Sequence, residues 1–441
     1  MLNIIKYIKE YGFIFKSSSI YNGVKSIYDY GPYGVLLKNN IKKLWWKSML
    51  FLNNNLYPID TAILTHKNIW IKSKHKKNFI YYVIINKINK KEYNILNFFK
   101  KDIYKKIYKI IFFFYKKNDF FSLENIFNNL KLYKKYKFKK KNFMFKINKD
   151  VYLRPEISQG VYINYINLLK IYNYQIPFGI IQIGKSFRNE FLSNKFIFRM
   201  NEFEQMEMQY FNFLIDEKKN YKIWIKKRLK WYNKLNIKNI KLKKNINLPH
   251  YAINSIDIEY QFKYFKKYKE IESLHLRRND LLNHKNKLFN NLNFNKISII
   301  ESSLGLDRFF YLLIDNFLFY IKKNNKYRIL LKLPYYLSPI KCAIFPLYKD
   351  NNIIKLSKKI YSYIKLSYMC IYNDKHSIGK RYKKQDAIGT PFCITIDKIS
   401  LIDKKVTIRF RDSMKQKRIF IKKIFKYLKN TNIINFLKKI Y

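Results

Sequence analysis

From Glu202 to Tyr210 the chain reads Glu-Phe-Glu-Gln-Met-Glu-Met-Gln-Tyr, an order that leaves few folds open. Gln205, Glu207 and Gln209 point one way; Met206, Met208 and Tyr210 point the other. A period of two is that of a half-buried antiparallel strand, with one face on the core and one polar, working face. Upstream, residues 181–190 close an apolar stretch on Phe187-Arg188-Asn189-Glu190. Two such strands, joined by a loop that holds Arg188 and Arg199, make a surface for a polyanion and an amine together. Arginine forks phosphate oxygens with paired, charge-assisted hydrogen bonds, and carboxylates at fixed alternation can hold an ammonium group. A nucleoside triphosphate and an amino acid are the ligands that suit it.

The 441 residues are enough for two or three domains and a sizeable core, and at 48% hydrophobic the chain is not a disordered one. Its 90 basic against 29 acidic residues leave +61, a sign that fits a nucleic-acid partner. Lys, Asn, Ile, Phe and Tyr dominate, the residues of AT-rich codons, so the sign carries more than the size. Cys342, Cys370 and Cys393 form no Cys-x-x-Cys pair, which excludes a zinc ribbon and fits a reducing compartment. No stretch is apolar enough to span a membrane, and residues 1–16 lack a signal-peptide core, so the expected location is the cytoplasm.

The turn cluster Tyr28-Asp29-Tyr30-Gly31-Pro32-Tyr33-Gly34 precedes a helical pattern through Val35, Leu36, Ile41, Leu44 and Trp45. Residues 76–142 have no glycine or proline and read as a helical insertion; 214–247 read as another, of helix and loop. A strand is expected over 255–260, and Glu301-Ser302-Ser303-Leu304-Gly305-Leu306-Asp307-Arg308 opens a helix at Phe309. Beyond the prolines near 333–339, strand 342–345, helix 353–366, strand 368–372, a basic helical segment and strand 392–396 alternate as a small α/β domain does.

These residues also carry a resemblance. The segment 28–40, Arg154-Pro155-Glu156 with Gln159-Gly160, Phe187-Arg188-Asn189-Glu190, Gly305-Leu306-Asp307-Arg308 and Ser377-Ile378-Gly379-Lys380-Arg381-Tyr382 with Ile388-Gly389-Thr390-Pro391-Phe392-Cys393 are similar, in order, to the motifs of glycine–tRNA ligases of the homodimeric class II type. The resemblance implies an α+β fold: a class II catalytic antiparallel sheet with flanking helices over 1–333, and a mixed α/β anticodon-binding domain over 334–441. It implies that glycine is activated as glycyl-adenylate by ATP, with Mg²⁺ and without a zinc site, and passed to tRNA(Gly). Arg188 and Arg308 would be catalytic. Asn189, Glu190, Phe198, Arg199, Phe203, Glu270, Ile271, Gly305, Leu306 and Asp307 would join them around ATP, with Glu270 on the metal. Glu156, Phe203, Glu204, Gln205, Met206, Glu207, Glu301, Ser303 and Gly305 would surround glycine. Lys380 and Arg381 would touch tRNA.

The match has departures. Lys269 and Ser273 stand where the family usually has glycines around the Glu270 segment, and 76–142 shows neither the arginine-bearing patch nor the cysteine cluster common there. Ser73-Lys74-His75 resembles the family's Ser-Gly-His, which leaves His75 open as a pocket or a structural histidine. Two other readings compete: a non-catalytic, synthetase-like nucleic-acid-binding accessory protein, and a class II ligase for another amino acid. Loss of the arginines would favour the first, and a larger pocket the second.

Overall fold

In the computed structural model the described residues are 4–99, 105–117, 119–172, 174–189, 196–246, 248, 251–263, 266–277, 297–323 and 326–440. A seven-stranded sheet runs in the order Ile240–Lys244, Ala252–Phe262, Lys267–Arg277, Ile297–Gly305, Glu202–Phe213, Phe178–Phe187, Leu56–Pro58. Neighbours are antiparallel except Leu56–Pro58, which runs parallel to Phe178–Phe187. One face carries Met206, Met208, Leu274, Leu276, Ile300 and Leu304 into the main core. Three helices cover that face: Pro32–Phe51, Glu217–Lys234 and Leu306–Phe317. The first of these starts on a proline, whose missing N–H costs nothing in a first turn. It buries Leu37, Ile41, Leu44, Trp45, Ser48 and Met49 as one stripe. Its Gly34 is required by contact: a Cβ there would sit 1.9 Å from the Phe13 carbonyl oxygen.

Two expectations about the insertions are corrected. Residues 76–142 are not a helical insertion. They contain a three-stranded sheet in the order Glu92–Asn94, Ile80–Asn86, Tyr136–Asn142, backed by the helices Lys105–Lys116 and Phe120–Asn129 around a separate apolar cluster. The run Ile80-Tyr-Tyr-Val-Ile-Ile is β-branched and aromatic, and Tyr136-Lys-Phe-Lys alternates, so both suit a pleated surface better than a helix. Within 214–247 the expected helix forms over Glu217–Lys234, with Tyr221, Trp224, Trp231 and Tyr232 in the main core, but Ile240–Lys244 is an edge strand of the main sheet and not loop.

The C-terminal sheet runs Cys370–Tyr372, Cys342–Pro346, Phe392–Ile396, Lys405–Phe410, Gln416–Phe420. Its first three strands are parallel and its last two antiparallel. The helix Asn351–Lys365 falls close to the expected one, whereas the expected strand 368–372 forms only over Cys370–Tyr372. The final helix, Ile434–Ile440, leaves this unit and returns to the main core, with the Phe436 ring 5.2 Å from that of Tyr336 and 6.5 Å from that of Trp231. Among the described residues no helix is long and apolar enough to cross a membrane.

Candidate active site

The register of the main sheet sets side chains from separate strands into rows. Glu207 lies opposite Gln182 on one side and Ser303 on the other; Gln209 faces Glu301, which in turn faces His275. Facing residues in neighbouring strands share a side of the sheet. The rows floor a cavity of about 410 Å³ whose lining includes Glu156, Arg188, Phe203, Glu207, Glu301 and Arg308.

One end of the cavity is acidic and buried. Glu156, Glu207 and Glu301 are all under 7% exposed. Glu156 accepts hydrogen bonds from Ser158 Oγ at 2.7 Å and Gln159 Nε2 at 2.8 Å, and its other oxygen lies 3.0 Å from His75 Nε2. Burial alone would raise Glu156, but His75, Arg277 and the Gln159 bond hold its carboxyl well below the usual range. Glu301 is paired with Arg277, and its Oε2 also accepts from Gln209 Nε2 at 2.9 Å. Tyr162 fixes Gln209 through a 2.6 Å bond to Oε1, and the Arg277 guanidinium lies 3.9 Å from the Tyr251 ring centre. Glu207 differs: its recorded hydrogen-bond donors are the neutral groups Ser303 Oγ (2.7 Å), Gln205 Nε2 (2.8 Å) and Gln209 Nε2 (3.5 Å). Burial, then the Glu301 and Glu156 charges, push Glu207 well above the usual carboxylate range.

The other end is cationic and more open. Arg188 is half-buried between aromatic rings, its guanidinium 5.2 Å from the Phe203 centre and 5.4 Å from that of Phe79. Its Nε donates to the Pro155 carbonyl at 2.8 Å. The exposed Arg199 follows Phe198, whose carbonyl accepts from Arg308 Nε at 3.3 Å. Arg308 also pairs with Glu270 at 3.0 Å. Desolvation would raise Glu270, but Arg308, His275 and a hydrogen bond from Ser273 together leave the carboxyl lowered. Glu270 reaches this face through a bulge: Ile258 pairs with Glu272 while Glu259 pairs with Glu270, so the strand Lys267–Arg277 carries one extra residue. A bulge changes the parity of everything before it. Glu272, two residues on, therefore lies on the core side, bound by Arg228, Tyr232 and Ser302.

The structure brings Glu156, Arg188, Phe198, Arg199, Phe203, Gln205, Glu207, Glu270, Glu301, Ser303, Gly305 and Arg308 to one cavity. Three expected site residues are corrected. Met206, Ile271 and Leu306 are core side chains, at most 1% exposed. Glu204 lines the cavity as expected, but its carboxylate pairs with Lys38 (2.7 Å) and Lys42 (2.6 Å) of the helix Pro32–Phe51. Asp307 lines the cavity but is 3% exposed and spent on structure, accepting from Tyr30 Oη and from the Glu204 N–H at 2.9 Å and pairing with Lys38. Asn189 is tied by its backbone, its N–H donating to Phe143 O at 2.6 Å and its carbonyl accepting from Tyr81 Oη at 3.2 Å. Glu190 lies outside the described residues.

In the C-terminal unit Arg381 does not face a partner. It is 6% exposed and donates to the carbonyls of Pro346 (2.7 Å) and Asn373 (3.1 Å). Lys380 is exposed, as are Lys383 and Lys384 one turn on, which the helix Ile378–Ile388 presents beside Tyr11 and Tyr33. That helix ends on Gly389 at φ 85°, a left-handed position that suits glycine.

Arg277, His275, Asp257, Ser273 and Tyr251 belong to the site and were not expected there. For Ser273, His275 and Arg277 a signal existed: Ser-Leu-His-Leu-Arg alternates polar and apolar as residues 205–210 do.

The family described as "tRNA synthetase class II core domain (G, H, P, S and T)" matches residues 136–317, and the one described as "Anticodon binding domain" matches 341–431. The glycine–tRNA ligase of Borreliella afzelii (strain PKo) is 36% identical across 99% of this chain and 98% of its own. That of Mycoplasmopsis synoviae (strain 53) is 38% identical across 97% and 99%. A solved structure described as the RNA binding domain of threonyl-tRNA synthetase from Cryptosporidium parvum Iowa II superposes with a TM-score of 0.67 at 13% identity, over 98% of this chain and 99% of that one, a likeness of fold.

Proposed function

The chain belongs to the glycine–tRNA ligases, and from that premise we propose which of its residues carry each part of the reaction. The enzyme uses ATP to attach glycine to tRNA(Gly). A glycine carboxylate oxygen attacks the α-phosphorus of ATP, giving glycyl-adenylate and releasing pyrophosphate. A 3′-terminal ribose hydroxyl of the tRNA then attacks the glycyl carbonyl, and AMP leaves.

The acidic end receives the glycine ammonium. The observation that carries this assignment is the setting of Glu207: it is 2% exposed and its hydrogen-bond donors Ser303, Gln205 and Gln209 are neutral, whereas Glu301 is paired with Arg277. An ammonium supplies the missing cation, and carboxylates on several sides leave no room for a side chain. Rejecting larger amino acids by exclusion is easier than rejecting smaller ones, so a glycine enzyme needs no editing site.

The cationic end receives ATP. Arg188 meets the α-phosphate as negative charge develops there, and Arg199 and Arg308 hold the outer phosphates. Positioned cations of this kind supply most of the acceleration in phosphorus-centred transfer. Phe203 offers its face to adenine. Glu270, open to the cavity and already drawn to Arg308, suits a Mg²⁺ that binds mainly through phosphates and one carboxylate. The metal would neutralise phosphate charge.

We assign anticodon binding to the unit that begins at residue 334, with Lys380 facing the RNA. The protein is a homodimer in this reading, and its compartment is the cytoplasm, where its tRNA is used. ATP–pyrophosphate exchange with glycine, alanine, serine, threonine and proline tests the pocket. Exchange is expected with glycine alone, and comparable exchange with alanine would overturn the acidic-end assignment. Sedimentation at micromolar concentration giving the mass of one chain would overturn the dimer.

A further inference from the structure

His75 occupies a place no step above uses. It opens the short helix His75–Asn78, is 1% exposed, and is gripped by rings at right angles: Trp70 at 5.4 Å and Phe79 at 4.9 Å between centres. Its Nε2 lies 3.0 Å from Glu156 Oε2, and its Nδ1 lies 2.8 Å from Ser73 Oγ. The proton on Nε2 follows from the partner. Glu156 is held ionised, and a carboxylate oxygen at this distance from a bare ring nitrogen would set two lone pairs against each other. Nε2 therefore donates to Glu156, and Ser73 serves Nδ1.

We propose that His75 is a positioning residue for amino-acid binding. Its Nε2–H holds the Glu156 carboxylate turned so that its remaining lone pairs meet the substrate ammonium. Two features make the arrangement specific. Ser158 and Gln159 both bond Oε1, so the recorded hold on Oε2 is His75. Phe79, packed on the His75 ring, is also the ring beneath Arg188, so the imidazole sits where the seats of amino acid and α-phosphate meet. The proposal rests on the reading of Glu156 as a glycine ligand.

The experiment is a pair of substitutions that each keep one ring nitrogen's function. His75→Gln carries an amide N–H to the position of Nε2; His75→Asn reaches only as far as Nδ1. Exchange kinetics are measured with glycine varied at saturating ATP, then ATP varied at saturating glycine, with Glu156→Gln alongside. His75→Asn should raise the glycine KM about tenfold and move the ATP KM by less than about twofold, the signature of one lost charge-assisted bond on the amino-acid side. His75→Gln should stay within about threefold of the parent for glycine. Equal effects of the two substitutions, or equal movement of both KM values, would overturn the proposal in favour of a packing role. If Glu156→Gln raises the glycine KM and His75→Asn does not, the inference about His75 falls while the site assignment stands. If Glu156→Gln leaves glycine binding unchanged, the site assignment falls and takes this inference with it.

Discussion

The two ends of the cavity are built to opposite rules. At the acidic end Glu156, Glu207, Glu301 and Arg277 are all under 7% exposed, and each carboxylate already accepts two or more hydrogen bonds. At the cationic end Arg188 and Arg308 are half-buried and Arg199 is exposed. A ligand of a few atoms gives little binding energy, so the groups that meet it must be fixed beforehand. A triphosphate brings several charges and many hydrogen-bond acceptors, and it can order partly open arginines as it binds. The small substrate is selected by rigidity, the large one by charge.

The comparison breaks most visibly at Arg277. Arg277→Ala leaves Glu301 buried without its cation, and about 3–5 kcal/mol of folding stability should be lost in denaturant unfolding. A loss under about 1 kcal/mol would mean that the acidic end is not held together by that pair. Arg188→Ala should act on rate instead. Exchange falls by about 10²–10³ while the unfolding midpoint hardly moves, because the residue is half-exposed and acts on developing charge. A comparable loss of stability would erase the contrast.

Glu207→Gln comes next. The glycine KM should rise about 10- to 100-fold with the ATP KM little changed, the range for a hydrogen bond to a charged group. The smallest effect is on pH dependence, and its sign follows from the raised Glu207. With a folded-state value above the unfolded one, the empty site holds a proton that the unfolded chain has lost. The stability this lends is present below the unfolded value and lost as pH rises through the folded one. Bound ammonium takes the place of that proton, facing Glu156, Glu301 and Arg277 as well. The glycine KM should therefore climb as pH falls, and the melting shift caused by saturating glycine should be larger at alkaline than at acidic pH. A pH-independent glycine KM in Glu207→Gln, against a sloping one in the parent, would sharpen the assignment; equal slopes would sink it.

Much of the acidic end was legible because a strand announces itself by parity. Spacing places Gln205, Glu207 and Gln209 on one side, and the same rule excludes Met206 and includes Arg277. Glu270 was harder, since its side depends on a bulge that pairing creates. Lys380 and Arg381 were indistinguishable as letters. Their helix turns one to solvent and the other under Pro346, a rotation set by packing on the sheet and not by the basic run itself. In 76–142 the scarcity of glycine and proline points to helix, but the β-branched and aromatic runs are the better sign and they form strands.

The sequence by itself determined the family, the order of the catalytic motifs, the polar and apolar faces of the strand Glu202–Phe213, and the sign of the partner's charge. Those properties are local: they live in residue type and in spacings of a few positions. Tertiary structure alone decided that Glu156, brought from outside the main sheet, meets His75. It also decided that Arg277 neutralises Glu301 while Glu207 has neutral donors, and that the final helix returns to the catalytic core. Each is a contact between segments far apart in the chain, fixed by strand register and helix packing, and register exists only once the strands have paired.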